Sequence, residues 1–286
     1  MSNSAANEVL KAEGLPMCPA VLAGLMQALK DPDTTISDLA RLLSSDPSLT
    51  VKVLRVVNSA FYSLPRRIYS VEQACFRLGF REIWSLTVAA QMSSVYAETD
   101  TRWNHETLWD HVLKVALMAR ALAQRKRGMM PEELFTGGIL HDIGKLALAR
   151  HDPEGCAAIY GNGLHGRLAV AEERRRWNVG HDELGAALLR RWKIPEALAG
   201  LVERHHDENW GELLDRGAGI LTVADGLVHA IVVDTPGGNG DLMRLEITDP
   251  AFSANLSRGL GLETADCVQM ATEVMHDYTE LVQHFK

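Results

Sequence analysis

A chain of 286 residues with 47% hydrophobic side chains can build one large domain or two ordinary ones around its own core, without covalent staples. Its formal net charge of −8, concentrated after residue 104, provides no long-range attraction to phosphate backbones and argues against general nucleic-acid binding. The scattered Cys18, Cys75, Cys156 and Cys267 argue against a thiolate zinc site or a disulfide framework, and neither a leader nor an apolar run of roughly 20 residues is visible, so a cytosolic location away from membranes is expected.

In chain order, Val21, Leu22, Leu25, Met26 and Leu29 recur at three- and four-residue steps and predict the first clear helix. Thr34 or Thr35 can cap a helix over 36–43, and Asp46-Pro47 opens another over 49–57. These two have the cadence of a helix-turn-helix, but Lys52 and Arg55 are the only basic residues of the second, so a packed hairpin is expected in place of a DNA reader. Further helices are predicted over 70–78 and 81–96, broken by Gly79, with a linker at 97–104.

A long helix follows from His105 to Arg127, and Pro131 opens the next, which runs through 134–148. The polar, glycine-containing span 151–180 is assigned no helix. Helices then cover 181–192, 195–205 and 219–233, Pro236 to Gly240 forms a loop, and 264–285 closes the chain as an amphipathic helix. Without sustained period-2 alternation, the expected fold class is all-α. The basic triplets Arg125-Lys126-Arg127 and Arg174-Arg175-Arg176 read as solvated helix ends.

Several polar residues sit where apolar ones belong. His111 shares a helical stripe with Val115, Met118 and Leu122. His141-Asp142 closes a glycine-flanked apolar segment in which Gly137 and Gly138 admit a close neighbour, and Asp142 falls on the line of Phe135, Gly138, Ile139 and Leu146. A buried carboxylate there must be paired, hydrogen-bonded or metal-bound, and Lys145 is a salt partner or an anion contact. His181 opens a helix whose Asp182 and Glu183 suit the positive end of the dipole. His205 and His206 end another, where dipole complementarity alone is an adequate reason for them. Asp225 lies in a segment apolar around nearly its whole circumference and requires a cation, with His229 four residues on as partner or support. Five imidazoles and two carboxylates on five helices suit a borderline divalent ion, and a bridging Asp can hold two such ions.

The ordered set His111, His141-Asp142, His181, His205-His206 and Asp225 resembles the HD superfamily of metal-dependent phosphohydrolases, in particular the HD-GYP cyclic-di-GMP phosphodiesterases. The wider frame, with Asp46-Pro47 to Ser59, Phe80 to Trp84, Gly137 to Gly144 and Trp192 to Pro195, is similar to the HDOD family over roughly residues 12–230. That resemblance implies a bacterial signalling protein with an N-terminal helical bundle over 12–98 joined to an HD-type bundle over 104–286 that includes the C-terminal helix. It implies one or two divalent transition-metal ions at the seven residues, iron foremost, with manganese, zinc or nickel also suited.

Many HDOD proteins lack several of these ligands and serve as non-catalytic modules, whereas this chain keeps the set. His205-His206 is followed by Asp207-Glu-Asn-Trp-Gly211 and not by a Gly-Tyr-Pro motif. The expectation is therefore a regulatory protein with a structural or ligand-sensing metal site, acting on a signalling protein or a nucleotide-like phosphate ligand. The alternative is a metal-dependent phosphohydrolase with a binuclear site, Asp142 as bridge and Lys145 on a phosphate oxygen.

Overall fold

The computed structural model describes residues 2–11, 15, 18–31, 33–98, 105–234, 242–246, 252, 256–257 and 259–285. Its helices are α1 (Ser2–Val9), α2 (Ala20–Lys30), α3 (Ile36–Ser44), α4 (Pro47–Val57), α5 (Val71–Leu78) and α6 (Phe80–Glu98) in the N-terminal part. There follow α7 (His105–Arg125), α8 (Pro131–Leu140), α9 (Ile143–His151), α10 (Pro153–Tyr160), α11 (Gly166–Trp177), α12 (His181–Arg191), α13 (Glu196–Arg204), α14 (Ala218–Ala230) and α15 (Thr264–Phe285). Short 3-10 turns cover Ala60–Tyr62 and Trp210–Arg216.

The helix boundaries follow local chemistry. Thr35 and Asp38 close a reciprocal capping box on α3, and the Asp46 carboxylate accepts from the Leu49 amide at the start of α4, where Pro47 needs no donor. Helix α4 buries Leu49, Val53, Val56 and Val57 and packs on α3, while Lys52 Nζ donates to Ser94 Oγ at 3.0 Å on α6. Gly128, at φ +82°, follows the end of α7 in a conformation that favours glycine.

Three expectations need correction. The helix predicted through 134–148 is broken at His141-Asp142: α8 stops at Leu140 and α9 starts at Ile143. The span 151–180 is largely helical, because Asp152 caps α10 through the Gly155 amide and Ala169, Val170 and Glu173 form a buried face on α11. The helix predicted to Val233 ends at Ala230, where the β-branched Ile231-Val232-Val233 turns extended and pairs antiparallel with Leu242–Leu245, so among the described residues an otherwise all-α fold carries one two-stranded antiparallel sheet. The loop at 236–240 and most of the 97–104 linker lie outside the described residues.

Helices α7 and α8 pack along each other, α14 lies on α7, and α9, α12 and α13 complete the group around the histidines. One continuous apolar core runs from Leu22 and Leu25 through Ile83, Met118 and Leu146 to Val274 and Phe285. Helix α15 closes over α7, α4 and α6, with Ser93 Oγ donating to the Phe285 carbonyl at 3.2 Å. No described helix is long and apolar enough to cross a membrane.

Candidate metal centre

All seven singled-out His and Asp residues converge on one point, each delivered by a helix end or an inward stripe. His111 comes from the middle of α7, where Val115, Met118 and Leu122 are buried beneath it. His141 and Asp142 occupy the break between α8 and α9. A helix continuing through them would fan the two side chains apart. Asp142 stands at the N-cap position of α9, yet its carboxylate makes no capping bond there. It turns into the cluster instead.

Glycine at two positions allows the approach. A Cβ on Gly138 would stand 2.4 Å from Ala116 Cα on α7, and one on Gly144 would stand 2.0 Å from the His181 carbonyl oxygen. The first contact carries His111 toward His141, and the second sets His181 beside Asp142.

Tautomers are decided by the neighbours of each ring. His141 Nδ1 lies 2.7 Å from the Gly138 carbonyl and His205 Nδ1 lies 2.6 Å from the Val202 carbonyl. A carbonyl only accepts, so both Nδ1 atoms donate, and it is Nε2 of each ring that is left to face the cluster. His181 Nδ1 lies 2.8 Å from both Glu173 oxygens, and its Nε2 points inward, 3.2 Å from Asp142 Oδ1 and 3.1 Å from His206 Nε2. His205 Nε2 and His141 Nε2 are buried with no hydrogen-bond partner.

Asp142 faces both ways. Its Oδ2 lies 3.3 Å from His141 Nε2 and 3.7 Å from His111 Nε2, while Oδ1 meets His181. Asp225 Oδ1 lies 3.1 Å from His111 Nε2 and 3.3 Å from His229 Nε2. The donor atoms fall into three groups, each within 4.8 Å: His181, His205 and His206; His111, His141 and Asp142; and His111, Asp225 and His229. Converging lone pairs around two carboxylates fit a divalent cation of borderline softness and leave few other ways to satisfy the buried atoms.

The electrostatics agree with that fit. Burial pushes His111 down to about 4 despite the Asp225 carboxylate, and burial with the neighbouring His141 and His181 pushes His205 down to about 3. Burial and His205 hold His206 well below its ordinary value. These rings are neutral, as metal ligands must be. Burial also opposes charge on His181, but Glu173 and Asp142 together raise it to about 10, so that without an ion this ring holds a second proton that a cation would displace. Burial works against ionising Asp142, yet His141 and Lys145 outweigh it and hold the carboxyl well below the usual range. Lys145, although buried, is kept charged by Asp142 and Asp225, and its Nζ donates to Asp142 Oδ2 at 2.6 Å.

Two participants escaped the sequence reading. Glu173, fully buried, accepts from the His181 amide at 2.6 Å, from His181 Nδ1 and from Tyr160 Oη at 2.9 Å. Its signal was the face Ala169, Val170 and Glu173, hidden inside an acidic and basic run. His165 stacks on His229 with ring centroids 4.0 Å apart, and nothing local marks it. Asp182, by contrast, is buried against Arg174 at 2.9 Å, a structural role as expected. The triplet Arg174, Arg175 and Arg176 is engaged in ion pairs with Asp182 and Glu183, with Glu172 and with Asp152.

Comparison with known proteins gives the same frame. The HDOD domain family model matches residues 15–208. A crystal structure of a candidate phosphohydrolase from Shewanella amazonensis SB2B superposes with a TM-score of 0.74 at 23% identity, covering 100% of this chain and 99% of that one. An HDOD domain protein of unknown function from Geobacter sulfurreducens gives a TM-score of 0.74 at 22% identity, over 99% and 97% of the two chains. At such identities the likeness is one of fold. An uncharacterized protein of Treponema pallidum (strain Nichols) is 26% identical over 205 residues, 68% of this chain, which spans only 38% of that relative's length.

Proposed function

The chain belongs to the HDOD family, and from that premise we propose that it is a regulatory module built around a divalent transition-metal centre, iron foremost, held by His111, His141, Asp142, His181, His205, His206 and Asp225. The observation that carries this reading is the set of Nε2 atoms on His141, His181 and His205, each turned inward by an Nδ1 donor bond, with those of His141 and His181 against Asp142 and that of His205 grouped with His181 and His206. A regulatory role is supported by depth: His141, Asp142, His181 and His205 are fully buried, and Lys145 is engaged with Asp142 instead of facing solvent. The lack of a Gly-Tyr-Pro motif after His206 supports it too. The module's effector is then a protein partner or a phosphate-bearing ligand.

A second reading, phosphoester hydrolysis, is favoured by one observation. Asp142 directs Oδ1 to one group of imidazoles and Oδ2 to the other, the disposition of a carboxylate that bridges two ions. Bound ions would supply Lewis acidity and an activated water. Asp142 would then hold the two groups in register and Lys145 would contact a phosphate oxygen.

The test is elemental analysis of purified protein, followed by phosphodiester and nucleotide assays with iron or manganese supplied. Bound metal without turnover is the expected result. Turnover abolished in Asp142→Ala would replace the regulatory reading with the hydrolytic one. Less than a tenth of an equivalent of metal after reconstitution would defeat both.

A further inference from the structure

His229 stands apart from the seven residues above, and its surroundings give it a role of its own. It lies one helical turn beyond Asp225 on α14, so the carboxylate and the imidazole share a face, an i, i+4 spacing well suited to two ligands of one ion. His111 approaches from α7, with its Nε2 3.1 Å from Asp225 Oδ1 and its ring 4.5 Å from that of His229. The three donor atoms lie within 4.8 Å of one another. This corner is also the part of the cluster nearest solvent: the His111 and His229 side chains are 15% and 25% exposed, against 1% or less for His141, Asp142 and His181.

We propose that His229, with His111 and Asp225, forms an outer metal position on the solvent side of the centre, separate from an inner position held by His181, His205 and His206. The proposal rests on the metal-centre reading given above. Three protein donors leave room in the coordination sphere of a first-row ion, and because this corner lies nearest solvent the outer ion is the one that exchanges with solvent and accepts an exogenous anion. The His165 ring stacks on that of His229 at 14°, with centroids 4.0 Å apart, a contact through the ring face. The competing role is a simple hydrogen bond from His229 Nε2 to Asp225 at 3.3 Å, with no ion involved.

A Co(II) titration of the full chain, after chelation and dialysis and followed by visible absorption and by elemental analysis, separates these roles. It compares the wild type with His229→Gln, which retains a donor toward Asp225, and His229→Ala, which does not. Expected are two equivalents in the wild type, and in both variants either one equivalent or a second ion held at least about tenfold more weakly, with loss of the absorption band belonging to that ion. Two equivalents at unchanged affinity in both variants overturn the proposal. So does a loss confined to His229→Ala, which would leave only the hydrogen bond. A wild type that binds a single equivalent overturns the outer position while leaving the metal centre standing, and one that binds none defeats the metal reading itself.

Discussion

The side chain that most controls the inner group of donors touches none of them through the atom that faces inward. Glu173 accepts from His181 at both its amide and Nδ1, and thereby selects the tautomer and ring angle that aim Nε2 at Asp142. Glu173→Gln keeps the volume but removes the charge, and it should weaken metal binding by about 10–100-fold. Competition against a chelator of known affinity measures this, and unchanged affinity would mean that packing alone orients His181.

Protonation gives a second test at the same scale. His111 and His205 fall from about 6.5 unfolded to about 4 and about 3 folded, so their contribution is complete above pH 6.5 and is lost as the pH falls through those values. His181 has the opposite sign: raised to about 10, it contributes fully below pH 6.5 and loses that contribution as pH rises through about 10. The melting temperature of the chelator-treated protein should therefore pass through a maximum near neutral pH. A monotonic rise from pH 5 to pH 9 would show that His181 is not held between two carboxylates.

Helices set how closely these side chains can meet. Gly138 on α8 and Gly144 on α9 remove the Cβ atoms that would separate α7 from α8 and α9 from α12. Gly138→Ala and Gly144→Ala should each cost about 1–3 kcal/mol through overpacking, and both should lower metal occupancy because His111 and His181 ride on the displaced neighbours. Gly200 on α13 has open space around it, so Gly200→Ala should be neutral or stabilise by up to about 1 kcal/mol with occupancy unchanged. Thermal melts and elemental analysis on the three variants check the contrast. The Gly137-Gly138 contact is legible in the sequence because glycine beside an inward stripe has few other uses, whereas the break at His141-Asp142 is not. Apolar residues continue on both sides of that break, and periodicity across a two-residue interruption looks unbroken.

Across the whole molecule, the N-terminal helices are fastened to the site-bearing ones by a buried ion pair. Arg120 on α7 donates to Glu82 on α6 at 2.7 Å, and Tyr62 bonds to the same carboxylate oxygen. Glu82 is 4% exposed, so Arg120→Met would strip a buried carboxyl group of its cation partner, at a cost of about 3–5 kcal/mol. Urea denaturation reads this directly; a change under 1 kcal/mol would mean that solvent reaches Glu82. The division at 97–104 is proposed as a covalent boundary only, because α6 packs on α7 and α8, and α15 on α4, across it.

Which faces of α7, α12 and α14 turn inward is settled by the sequence alone, because helical period and the cost of burying charge act within one or two turns. Glu173 behind His181, His165 stacked on His229 and the break between α8 and α9 were decided only in three dimensions. Local periodicity says that a face is buried but not against what, and it is the packing of α11 on α12 and of α14 on α7 that supplies the partner.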